Sequence, residues 1–303
     1  MHASWSTIFL KAGRAWNADN VFRHSAAVSF CTLFSLAPIT IIAATIAGLF
    51  VGREEAGHQM ELQLAALVGN SSAELVTSAA RAAQAQQDSR LATTVGIVLV
   101  IVGATTVFAQ LQESLNAIWG VRTRPSKSGW AVLILHRLVS FAMVLTIGFV
   151  LLVSLILTTF LTSALGHFSG AAVSSPVLMK LTDLGVGLVV ITGLFTLMFK
   201  VMPDVRVGWK ETGMGAVLTA ILFTIGRYLI ALYLGHSTVA SIYGTAGSLV
   251  ALLIWVYYSC AIFFFGAEFI RAYRQVAHHL AVEPKETAVV VREEILRNAA
   301  RRS

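Results

Sequence analysis

Six apolar runs constrain this chain more than any other feature: residues 28–51, 91–119, 131–163, 182–202, 213–235 and 246–268. Each is long enough to cross ~30 Å of hydrocarbon, and none alternates polar with apolar as a half-exposed strand does. Backbone N–H and C=O groups find no water inside a bilayer, so the structure these runs can adopt there is a helix. The expected fold class is therefore all-α, a polytopic membrane protein with six transmembrane helices. Composition agrees: 12% of the 303 residues are charged, about half the share usual in soluble domains.

Orientation follows from Lys and Arg. With both termini cytoplasmic, residues 1–27, 120–137, 200–212 and 269–303 carry three, four, three and seven of them. The other side receives Arg53, Arg81, Arg90 and Lys180, and Arg227 falls within a span. This asymmetry obeys the positive-inside tendency and explains the net charge of +7 through anionic lipid, without nucleic acid. Residues 1–27 read as a cytoplasmic interfacial helix: Trp5, Ile8, Phe9, Ala12 and Trp16 recur at helical spacing opposite Lys11 and Arg14. The segment lacks the basic head and cleavage site of a secretory leader. Residues 28–268 form the membrane domain, and the third run begins partly in the interface, with His136 and Arg137 at the headgroups.

An extracytoplasmic helical insertion is expected at 52–90, split at Gly69-Asn70, with Ser71 and Glu74 in capping-box spacing. It reads as a cap over the bundle or as a plain structured loop. Residues 269–303 read as a charged cytoplasmic tail in which PKETAVVVREEILRNAARRS is a helix candidate. Cys31 and Cys260 lie in apolar runs as packed small side chains. No metal-ligand or cofactor spacing is present, and no P-loop, so neither a metal nor a cofactor is expected.

Polar residues in or near spans supply the candidate site, because each ionisable one costs ~2.5–3.5 kcal/mol on insertion scales. In FAQLQESLNAIWGV, Gln110, Gln112, Glu113 and Asn116 share one side of a helix. A rise of about 1.5 Å per residue from Leu91 puts Glu113 at the cytoplasmic rim. There the stripe either overshoots into water or lines a cavity open to the cytoplasm. Arg227 lies deeper, and Asp183 is the carboxylate at a comparable level; the expectation is an Arg227–Asp183 pair or an outer pocket, with snorkelling to the headgroups as the alternative. Tyr243, Gly244 and Gly247 form a small-residue turn before the sixth run, which Glu268 closes with Arg271 as an exposed boundary partner. Pro38 removes one helical hydrogen bond and should kink the first span. The hinge residues are thus Pro38, Gly244 and Gly247.

Four segments together resemble the YihY/BrkB family of bacterial inner-membrane proteins: AVSFCTLFSLAPI, QLQESLNAIWGV, the Pro203-Asp204 turn before Trp209, and SIYGTAGSLVALLIWVYYSCAIFFFGAEF. The resemblance implies a six-helix, multi-pass fold in the bacterial inner membrane with both termini inside. Members of the family have also been labelled ribonuclease BN. The histidines here argue against that label, since the adjacent pair His278-His279 has no carboxylate constellation for two-metal hydrolysis.

An enzyme is therefore not the expected class. The expected function is transporter-like, handling a lipid or a small polar or amphipathic solute through a polar cavity lined by Arg227, Glu113, Gln110, Asn116, Asp183, Tyr243 and Glu268. The alternative is a non-transporting scaffold or envelope-assembly partner that docks through 52–90. Membrane lipids are the expected partners, beside a lipid or solute substrate and a possible envelope protein or second copy of the chain.

Overall fold

The computed structural model describes residues 4–35, 90–123, 176–236, 247–277, 281–285 and 288–291. These contain helices α1 (Trp5–Ala18), α2 (21–35), α3 (Arg90–Ile118), α4 (Pro176–Val201), α5 (Trp209–His236) and α6 (Gly247–Ala277), with strands β1 (Val121–Thr123) and β2 (Ala288–Val290). Trp209–Leu229 and Leu249–Ala277 are long and apolar enough to cross a membrane. The 52–89 insertion, the third run, Pro38, Tyr243 and Gly244 lie outside the described residues; Gly247 is the first residue of α6.

Helices α4, α5 and α6 form one packed layer. Its centre is aromatic: Phe199 and Phe263 stack with ring centroids 4.6 Å apart, and Phe195 meets Phe223 and Phe263 at 5.6 and 5.7 Å. Glycine sets how closely α5 and α6 approach. A Cβ on Gly266 would collide with the Thr219 hydroxyl and lie 2.9 Å from Phe199 Cζ. One on Gly226 would lie 2.7 Å from the Tyr258 ring, and one on Gly215 would strike Ile270. Small residues at a helix crossing let backbones approach, and close van der Waals contact is the attraction left once lipid has removed the hydrophobic one.

The N-terminal helices descend antiparallel along α6. Trp5 stacks on Tyr273 at 6.1 Å, Phe9 meets Phe269 at 5.2 Å, and Trp16 Nε1 donates to the Ala261 carbonyl at 3.1 Å. Helix α2 continues in the same direction, with Phe22 against Tyr257 and Ser29 Oγ donating to Leu253 O at 2.7 Å. The two are separated at Asn20, whose φ of 52° is the left-handed conformation that Asn tolerates better than most residues. Ile8 and Ala12 are buried on α6, while Trp5, Phe9 and Leu10 face outward. The amphipathic stripe of the sequence is thus divided between protein and surroundings.

Helix α3 ends at Gly120, whose φ of 65° turns the chain into β1. Strand β1 pairs antiparallel with β2, Val121 opposite Val290 and Thr123 opposite Ala288. Residues Ala288–Val290 of the tail are therefore an extended strand, a departure from the helix expected over this stretch. Its β-branched Val289-Val290-Val291 run favours the strand, and Gly120 O accepts the Val291 N–H at 3.0 Å. Residues 281–285 run beside the α4–α5 turn, where Val205 bridges Pro284 and Arg206 N donates to Glu283 O at 2.8 Å.

Candidate functional site

Two polar assemblies form where α3, the α4–α5 turn, α6 and the returning tail converge. In the first, Asn116 of α3 clasps Asp204. Asn116 Nδ2 donates to Asp204 Oδ2 at 2.9 Å, and the Asp204 N–H donates to Asn116 Oδ1 at 2.8 Å. Gln112 Nε2, one turn earlier, reaches Asp204 Oδ1 at 3.5 Å. The backbone of Lys285 adds an N–H to Asp204 O at 2.9 Å. Asn116 is 7% exposed and Asp204 6%, so each group depends on the other for hydrogen bonds that water would otherwise supply. Gln112 and Asn116 thus fasten α3 to the α4–α5 turn.

Cations finish the helix ends around this clasp. Lys285 Nζ donates to Val201 O at the α4 C-terminus at 3.1 Å, Lys200 Nζ bonds Val207 O, and Arg271 bonds Ile118 O at the α3 C-terminus. Lys285 and Arg271 place positive charge at helix C-termini, where the dipole and unpaired carbonyls favour it, while Lys200 reaches a carbonyl of the α4–α5 turn. Burial and neighbouring Lys200 lower the Lys285 pKa, against the pull of Asp204. Arg274, 4% exposed, bonds Arg206 O and sits 3.4 Å from Glu211 Oε2.

The second assembly centres on Glu268, which the sequence places at an exposed boundary. The side chain is fully buried instead, because α1 and the α1–α2 joint cover this side of α6. Arg271 Nε lies 3.4 Å from Glu268 Oε2, and the same guanidinium donates from Nη1 to Asp19 Oδ2 at 2.7 Å. His24, five residues beyond Asp19, has its pKa lowered by burial first and by Arg23 second, with Glu113 and Asp19 opposing. A lowered folded-state value means the unfolded chain binds the proton more tightly. Stability is then complete above the unperturbed pKa of 6.5 and declines as pH falls below it. The His24→Gln variant is expected to show a flatter decline between neutral and mildly acidic pH, measured by thermal unfolding in detergent. An unchanged slope would remove His24 as its source.

Of the remaining sequence candidates, Gln110, Glu113 and Arg227 are among the described residues. Gln110 is half-buried with Nε2 3.5 Å from Ser114 Oγ, and Glu113 is exposed. Arg227 is exposed on the face of α5 that also presents Val217, Ile221, Tyr228 and Leu229, its guanidinium carbon 5.3 Å from the Tyr228 ring centroid. Asp183 falls within α4, but its side chain lies outside the described residues. Asn116 bonds Asp204, and Glu268 meets Arg271, whose guanidinium bonds Ile118 O at the α3 terminus. Sequence reasoning did not single out Asp204, Asp19 or Arg271 as site residues. The Pro203-Asp204 turn was the available signal, since an acid held in a short turn between two apolar helices calls for a partner.

The described residues are mostly helical and include two helices long and apolar enough to cross a membrane. The chain belongs to the BrkB family: the family described as Virulence factor BrkB matches residues 12–289, nearly the whole sequence. Curated relatives bear the name UPF0761 membrane protein. That of Alcanivorax borkumensis is 26% identical over 300 residues, covering 95% of this chain and 65% of the relative. Those of Pseudomonas aeruginosa and Nitrosospira multiformis are 28% and 29% identical over 82% of this chain and 58% and 56% of theirs. The chain thus spans about three-fifths of the length of the relatives it matches. No solved structure matches it.

Proposed function

We propose that this protein is a multi-pass, inner-membrane, transporter-like protein that handles a lipid with an anionic headgroup. The observation that carries the reading is Arg227, an exposed guanidinium on an otherwise apolar outward face of α5, resting on the ring of Tyr228. Asp19, Asp204, Glu211 and Glu268 are engaged elsewhere. An arginine on a lipid-facing surface is costly unless a counter-charge meets it, and phosphate matches its planar donor fork in two parallel hydrogen bonds. The side chain can reach such a headgroup while its stem lies against acyl chains. Here the lipid is met from the side of the bundle, and the polar segment of α3 serves as scaffold.

The second reading, a scaffold without transport, is favoured by one observation: Gln112 and Asn116 are engaged in the clasp on Asp204. Native mass spectrometry of the full chain with phosphatidylglycerol and with phosphatidylcholine separates the two. The lipid-handling reading expects retained phosphatidylglycerol, reduced about tenfold by Arg227→Ala, which is the loss of ~1.4 kcal/mol of binding. Equal retention of both lipids by wild type and variant contradicts it.

A further inference from the structure

Glu268 has more negative charge around it than the fold neutralises. It is 0% exposed, and neither carboxylate oxygen has a hydrogen-bond donor. Among the described residues its nearby cation is Arg271, which is shared: the guanidinium bonds Asp19 at 2.7 Å and the Ile118 carbonyl, and stands 3.4 Å from Glu268. The Asp19 side chain is 31% exposed and can draw on water, whereas Glu268 cannot. Arg271 on its own helix and Asp19 from the α1–α2 joint are the charged groups acting on Glu268. From α3, the neutral Ile118 carbonyl reaches the same guanidinium, while Glu113 acts on His24 instead. Two carboxylates on one guanidinium leave the assembly one positive charge short, and a buried, incompletely paired charge is strongly unfavourable.

We propose that Glu268 and Asp19 form a binding site for one monovalent cation, a proton or an alkali-metal ion, at the joint of α1, α2 and α6. Either occupant supplies the missing charge and gives the Glu268 oxygens a partner. The site lies where the chain breaks at Asn20, so occupancy controls how firmly α1 and α2 are held to α6. The inference does not depend on the lipid reading.

The test uses the full chain in lipid nanodiscs, in a His24→Gln background that removes the neighbouring titration. Thermal midpoints are compared in sodium and choline chloride at equal ionic strength, and across a titration from mildly acidic to mildly alkaline pH. A sodium site gives a higher midpoint in sodium than in choline; a proton site gives a midpoint that falls as pH rises, alike in both salts. In either case Glu268→Gln is expected to fold with a midpoint at or above that of the parent protein and to lose the dependence, because the neutral amide leaves Arg271 to Asp19. A parent protein insensitive to both titrations overturns the proposal. So does a Glu268→Gln protein that keeps the parent's dependence. Loss of folding on Glu268→Gln also overturns it, by showing that an ionised carboxylate is itself what the fold requires.

Discussion

Replacing Asn116 by Asp is expected to destabilise the protein by about 3–5 kcal/mol, the cost of leaving a buried charge without its partner. The substitution is nearly isosteric. It turns the donor 2.9 Å from Asp204 Oδ2 into a second acceptor, so two carboxylates would face each other in a site with little access to water. Asp204→Ala should cost less, about 2–4 kcal/mol, by removing a charge-assisted bond and leaving Asn116 Nδ2 without its acceptor, while the backbone N–H at 204 still bonds Asn116 Oδ1. Combined with Asn116→Ala, its effect should be strongly non-additive, because each single change already breaks the clasp. Equilibrium unfolding of the purified chain in mixed micelles reads both. Additive losses would mean that the two side chains act independently, contrary to the bidentate geometry.

The second large effect is expected at Gly266. An alanine there presses a methyl group between Thr219 and Phe199, on opposite elements, so α5 and α6 cannot both stay in place. Overpacking of this kind costs about 1–3 kcal/mol, and a leucine should exceed that range. The Thr219 hydroxyl cannot simply swing aside without loss, since it donates to Gly215 O at 2.7 Å. Thr219→Ala should therefore restore part of the stability lost in Gly266→Ala. Failure of that rescue, with Gly266→Ala as stable as the parent, would refute the close crossing.

The helices were legible where apolar length alone determines them. The runs at 91–119, 182–202 and 213–235 correspond to α3, α4 and α5 to within a few residues, and the sixth run is the first two-thirds of α6. What extends α6 to Ala277 is packing: Phe269, Ile270 and Ala272 are buried against α1 and its neighbours. Hydropathy along one segment cannot register that. The same limit hid Glu268, which reads as a boundary residue until α1 is laid over it. Asn116 and Asp204 are 88 residues apart, and no local pattern pairs them. Strand β2 is three residues long and exists because β1 offers its backbone, so the charge pattern downstream of it pointed to a helix. The close-approach glycines had no local signal in the sequence, because only the facing helix makes the absence of a Cβ matter. Gly215, Gly226 and Gly266 make the crossing, while Gly244, one of the expected hinges, lies outside the described residues.

The polar segment of α3 and the arginine of α5 thus take different parts: the first fastens that helix to the α4–α5 turn, and under the proposed reading the second meets the lipid. Lipid movement between leaflets of reconstituted vesicles separates those parts most directly, with wild type, Arg227→Ala and Glu113→Gln compared at equal protein content and confirmed folding. The expected result is flux well above empty vesicles for wild type and Glu113→Gln, and near the empty-vesicle level for Arg227→Ala. Flux that survives Arg227→Ala but falls with Glu113→Gln, or that equals empty vesicles for all three proteins, would contradict the account.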